Sequence, residues 1–539
     1  MSEKLSKKLL FTEESWDYDS ALNGTSIKGS YSTMQFVLRL RDDIREALNK
    51  NDVTDSEKIQ ATSTAIHENI HWWQHIGSNF GFIYSLAYPA FSHVTKENLS
   101  NLISQNLTFK SILKFGKQYY DKYQKADIPD LNVVLNNYHD IQYAKEFAFD
   151  NKSLKTIIED RRFFLHIGHC YHILWSSTVH TIAATIDQQY SFLPKTELWL
   201  EKFRKLSEDQ VAGFYIDSPM NISPIGIRAI FEGQAMYNQM QYLSVANRDL
   251  IYDDFINAGM LHGIYKEAFE LFLYITKIDK PINMLDSTVG LYLLVCDLAI
   301  NPNNGFPLDI YDYKNFVTNN DPGLRFIYLC STISRNPEKY QSMIKDYSKE
   351  EYLFLSKELS ESIGCKCSYE SIDIVLNWAN ENEVRKLLEE EEELKFSPEN
   401  LPIRLMFSKY FRFQEDKKKY PNVFCWFGYH ANNVNRNVEF EIVDSIYKKH
   451  FALFLDDSDG EIKPTIFEGK KEENIMESFN MFYKFNILYD IVQRWVREEG
   501  EFKLDYKWIA NKRAKDFIPT IKDEFKQQFN ISIDDIKVL

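Results

Sequence analysis

Apolar positions recur at three- and four-residue spacing along most of this chain, the period of helices that bury one face. The pattern predicts a helix from about Met34 to Lys50, a short polar loop, and a second helix over about 55–76. Thr54 followed by Glu57 reads as a capping box for that second helix, and Asp55 and Glu57 place negative charge at its positive end. No Pro or Gly interrupts it before Gly77, a plausible stop. Pro89 marks a turn, and further helices are expected near 95–106, 107–125, 129–150 and 153–190. Ser223 as an N-cap and Pro224 at the first helical position open another, over about 224–244. Short strands are expected only near Ile27–Tyr31, Val438–Ile442 and Ala452–Leu455, and a long helix near Glu473–Arg497. The fold class this implies is mostly α.

Breaks in the pattern divide the chain. The stretch Asn301-Pro302-Asn303-Asn304-Gly305-Phe306-Pro307 is the clearest boundary, and Ser397-Pro398-Glu399-Asn400 is a second. The division is a first region over 1–300, a helical accessory region over 301–395 and a C-terminal α or α+β accessory region over 396–539. The acidic run Glu389–Glu393 reads as a solvated face.

Composition narrows the classes. Aromatic residues make up 15% of 539, which favours a packed globular chain. A net charge of −15 argues against a general nucleic-acid binder, which needs a basic surface. Six cysteines, of which only Cys365 and Cys367 are close together, make neither a disulfide framework nor a zinc ribbon, so a reducing cytoplasm fits best. Met1–Lys8 has no apolar core of signal-peptide length, and the longest apolar run, Val289–Cys296, is too short to span a bilayer.

Chemistry concentrates in His67-Glu68-Asn69-Ile70-His71. Residues four apart share a helix face, so His67 and His71 can point both imidazoles at one ion. Glu68 lies roughly 100° around the helix, where it misses the ion and reaches a water on it as a general base. This segment resembles the His-Glu-x-x-His signature of the zincin metallopeptidases. Far along the chain, Glu232-Gly233-Gln234-Ala235 resembles the Glu-Gly-x-Ala of gluzincins, in which the glutamate is the third zinc ligand. A carboxylate in an apolar helix needs a cation or a donor, and small residues at 233 and 235 let another helix approach. The alternative for Glu232 is an ion pair with Arg228 one turn earlier. His75 lies roughly 12 Å from His67 along one straight helix, too far to share its ion, and is expected to support or pack.

The resemblance covers these two short motifs, with a long helical insertion between them. It implies a helical zincin-like catalytic region binding Zn2+ through His67, His71 and Glu232, with Glu68 as general base. A Tyr or His that stabilises an oxyanion is also implied, and Tyr237, His166, His169, His172 and His180 are the candidates. Asp297 is expected either to orient a metal-bound imidazole or to cap the loop that follows it. The resulting expectation is a selective intracellular peptidase acting on a protein or peptide substrate, with a protein activator or partner and activity that can be latent. Two other classes stand beside it. Glu68-x-x-His71 is also half of a helical di-iron carboxylate site, although no second Glu-x-x-His occurs. A non-catalytic interaction scaffold with structural histidines is the other.

Overall fold

The computed structural model describes residue 5, residues 36–49, 52–150, 154–431, 438–457 and 461–504, residues 506 and 509, and residues 514–539. Its helix content is 67% and its strand content 2%, a mostly α fold as the periodicity predicts. The elements that build and buttress the site, in chain order, begin with β1 (Val37–Leu38), α1 (Asp55–Gly77), α2 (Ala87–Ser104), β2 (Phe109–Lys110) and α3 (Pro129–Phe149). They continue with α4 (Ile167–Ile186), α5 (Ile227–Ala246), α6 (Ile264–Thr276), α7 (Ser287–Ile300) and α8 (Leu401–Lys419). The last are β3 (Phe454–Asp456), β4 (Ile462–Pro464), α9 (Glu472–Arg497) and β5 (Lys537–Val538).

Helix α1 starts where its sequence says it should. The Glu57 amide donates to Thr54 Oγ1 at 3.3 Å, and the Thr54 amide donates to Glu57 Oε2 at 2.9 Å, so two otherwise orphaned donors are satisfied. Its second half is buried all round, polar residues included. One side packs on α5, the most extensive helix–helix contact in the fold, and another on α8. Helices α2, α3 and α4 form a mutually packed group, while α6 and α7 back α5.

Two small sheets join distant parts of the chain. Val37 and Leu38 pair in parallel with Phe454 and Leu455, and β3 continues antiparallel to β4. Phe109 and Lys110 pair in parallel with Lys537 and Val538. One hydrophobic cluster runs from Leu5 to Ile536. It passes through the 301–307 loop, which is buried: Asn79 donates to the Pro302 carbonyl at 2.7 Å, and Tyr410 donates to Asn79 Oδ1 at 2.8 Å.

Several local expectations are corrected. Residues 37–38 are strand, and the helix that follows is Asp42–Asn49 alone. Pro89 sits in the first turn of α2, where its missing amide costs nothing, so it opens a helix and makes no turn. The 153–190 helix is split, with Leu154–Glu159 separate from α4. Gly226 rather than Ser223 caps α5, and a side chain there would collide with the Phe149 carbonyl at 2.1 Å. Val438–Ile442 is not a strand, since Phe440–Lys449 is helical. Glu391, in the acidic run, is buried and paired with Lys409 and Arg412 at 2.6 and 2.9 Å. The strand expected near Ile27–Tyr31 lies outside the described residues.

Candidate metal centre

Helices α1 and α5 bring His67, His71 and Glu232 together across the long gap in sequence. The two Nε2 atoms lie 3.2 Å apart, and each is 3.5 Å from Glu232 Oε2. A point just off the plane of three atoms at these separations lies about 2.1 Å from each, within the range of zinc–imidazole and zinc–carboxylate bonds. Tetrahedral ligands at that length would stand about 3.4 Å apart, so the observed edges match. The donor set fits a metal ion, and among the described residues no other group of histidine, cysteine and carboxylate side chains does.

Close helix packing makes this convergence possible. A Cβ on Gly233, next to Glu232, would meet the Tyr292 hydroxyl at 2.2 Å and Ala268 at 3.6 Å. The small residue thus admits α6 and α7 against the turn that carries Glu232. Glu232 faces the imidazoles, whereas the Arg228 guanidinium lies over the Phe149 ring, 6.0 Å from its centre. The two imidazoles are the partners that hold the Glu232 carboxylate charged.

Amides surround the histidines. Gln74 Oε1 lies 2.8 Å from His71 Nδ1, and Gln74 Nε2 donates to the Phe231 carbonyl and to Gln234 Oε1, both at 2.9 Å. Gln239 donates to Ser63 Oγ at 3.1 Å, and His67 Nδ1 is buried without a hydrogen-bond partner among the described residues. The Tyr265 ring stands edge-on to His67, with centroids 6.0 Å apart. Gln74 and Gln239 carry no motif, because each also bonds a residue distant in sequence.

Burial dominates the electrostatics. It pulls His67 below its ordinary value, against the lift of the Glu232 hydrogen bond. Burial acts on His71 in the same direction, but the Glu232 carboxylate, Glu68 and Gln74 outweigh it and lift His71 to about 9. Glu232 would rise on burial, yet the two imidazoles hold it well below the carboxylate range. Burial pushes Glu68 up to about 8.

The other expected residues have partners of their own. Tyr237 bonds the Tyr252 hydroxyl at 3.0 Å and packs on Phe269. His166 caps α4 by accepting from the His169 amide, and His169 Nε2 lies 3.2 Å from Asp140. His172 stacks on Phe203, and His180 Nδ1 lies 2.7 Å from the Tyr190 hydroxyl. His75 packs on Phe231, with Nδ1 3.1 Å from Ser85 Oγ. Asp297 accepts from Tyr352 and from Asn301, as its capping reading has it. A cavity of about 820 Å³ between β4, α9 and the helix Phe517–Phe529 is lined by none of the four site residues.

No protein-family model, no curated protein and no solved structure matches this chain. No helix among the described residues is long and apolar enough to cross a membrane.

Proposed function

We propose that the protein is a zinc-dependent hydrolase that cleaves peptide bonds in a protein or peptide substrate. The observation that carries this reading is the metal-sized triangle of two imidazole nitrogens and one carboxylate oxygen, with a further carboxylate, Glu68, beside it. Three protein ligands of this kind leave a fourth position open, as hydrolytic zinc sites do. Zinc, when bound, supplies a Lewis acid that polarises a carbonyl and acidifies water.

The chain's own residues supply the rest. His67 and His71 offer neutral Nε2 lone pairs, and Glu232 offers the one charged oxygen. Glu68, next to His67 on the same helix, accepts a proton from the attacking water and passes it to the leaving amine. Its burial suits that task, since a carboxyl that binds a proton near neutrality can both take and return one. The di-iron alternative needs a second set of metal-binding side chains, and the described residues hold one.

Elemental analysis of protein purified without a metal-affinity tag tests the reading. One zinc per chain, released by His71→Ala, is expected. Two irons per chain, or no metal after incubation with excess zinc, would overturn it.

A further inference from the structure

Gln74 has a fixed orientation that can be deduced from one of its partners. Its amide group touches the His71 ring, the Phe231 backbone carbonyl and the Gln234 side chain. A backbone carbonyl only accepts, so the group 2.9 Å from Phe231 O must be the Gln74 amino end. The oxygen end then faces His71, and His71 must donate from Nδ1. Nε2 of His71 is left as the atom that faces His67 and Glu232. One backbone carbonyl thus settles the tautomer of a metal-site histidine.

The same amide ties the two halves of the site together. Phe231 and Gln234 flank Glu232 within a single turn of α5, whereas His71 and Gln74 share a turn of α1. Both Gln74 hydrogens are spent on that α5 turn, and its oxygen is spent on His71. A shift of α5 along α1 would break both bonds and would also turn the imidazole.

We propose that Gln74 is the positioning residue of the metal centre: it holds His71 with Nε2 free for the ion and registers His71 against Glu232. This rests on the metal-centre reading above and adds to it a residue that touches neither the ion nor the substrate. A histidine held by a neutral amide also gains no negative charge behind it, unlike one backed by a carboxylate.

Zinc affinity, measured by competition with a chelating dye, tests the assignment alongside thermal unfolding of the metal-free protein. Gln74→Leu keeps bulk but cannot bond, and should weaken zinc binding by about 10–100-fold. Gln74→Glu keeps an acceptor for His71 but loses both donors to α5, so its zinc affinity should fall between those of the parent and Gln74→Leu. A role confined to packing predicts otherwise: both variants would melt earlier and bind zinc equally well. Wild-type affinity in Gln74→Leu would overturn the proposal, as would a Gln74→Glu variant as weak as Gln74→Leu. Failure of the parent protein to bind zinc is a different result, and it removes the hydrolase reading itself.

Discussion

The indole nitrogen of Trp73 donates a hydrogen bond to the His450 carbonyl at 2.7 Å, joining the helix that carries His67 and His71 to the C-terminal part of the chain. The Trp73 ring also packs against Phe424 and Phe427, with centroids 5.0 and 4.9 Å away. A second bond runs beside it, from the Ala452 amide to Asn69 Oδ1 at 2.9 Å. Trp73→Phe retains part of the packing but orphans a buried carbonyl, which should cost about 1–3 kcal/mol. Urea unfolding measures this, and an unchanged midpoint would show that the bond contributes nothing.

Binding and chemistry should separate between neighbouring carboxylates. Glu68→Gln should retain one zinc per chain while peptide hydrolysis falls by at least ~10²-fold. Glu232→Ala should lose the metal, because two ligands seldom hold zinc in water. Inductively coupled plasma mass spectrometry needs no substrate and comes first. Full zinc retention in Glu232→Ala would remove Glu232 from the ligand set.

Metal removal should be visible as a loss of stability. An ion that binds only the folded chain at one hundred times its dissociation constant adds about 2.7 kcal/mol. Scanning calorimetry with zinc and then with a chelator should show a reversible fall in melting temperature. Its absence would mean that the triangle of donors holds no ion in solution.

Gly233 is required by contact rather than by backbone conformation. Gly233→Ala sets a methyl against the Tyr292 hydroxyl, and overpacking of this kind costs about 1–3 kcal/mol. Tyr292→Phe removes the atom it strikes. The double variant should therefore recover most of the loss, a coupling that a thermodynamic cycle of unfolding free energies would read. Simple additivity would place the cost elsewhere.

Acid should weaken one specific pair of elements. Burial raises the Glu391 carboxyl, but Lys409 and Arg412 outweigh it and hold the group at about 2, below its ordinary 4.5. A lowered value means the folded state binds the proton less readily than the unfolded one. The stabilisation is complete well above pH 4.5 and disappears as the pH falls toward 2, on the order of 3 kcal/mol in all. Glu391→Gln should flatten unfolding free energy against pH across that window. An identical slope in the variant would refute the linkage.

What can be read from sequence here follows the range of each interaction. The start of α1 is legible because Thr54 and Glu57 cap it within one turn. His67 and His71 are legible because helix geometry alone aligns them. Gln74 is not, since its meaning depends on Phe231, 157 positions away. Val438–Ile442 has the branched, apolar look of a strand, yet Val443 and Ile446 are buried at helical spacing and the helix prevails. Glu391 sits among five consecutive acids and looks solvated, although Val384, Leu387 and Glu391 share one buried helix face. That spacing could have betrayed it.

The partners of α1 also order events in time. A chain synthesised as far as α7 already contains His67, Glu68, His71 and Glu232. It still lacks Gln414 and Lys417, which bind the Gly77 carbonyl at the end of α1, and His450 and Ala452, which hold its middle. Helix α1 therefore acquires its last supports only after most of the protein has been synthesised. If His67, His71 and Glu232 take a metal, its capture is a late step of biogenesis, and an interrupted translation product would carry all three side chains without a settled place to hold an ion.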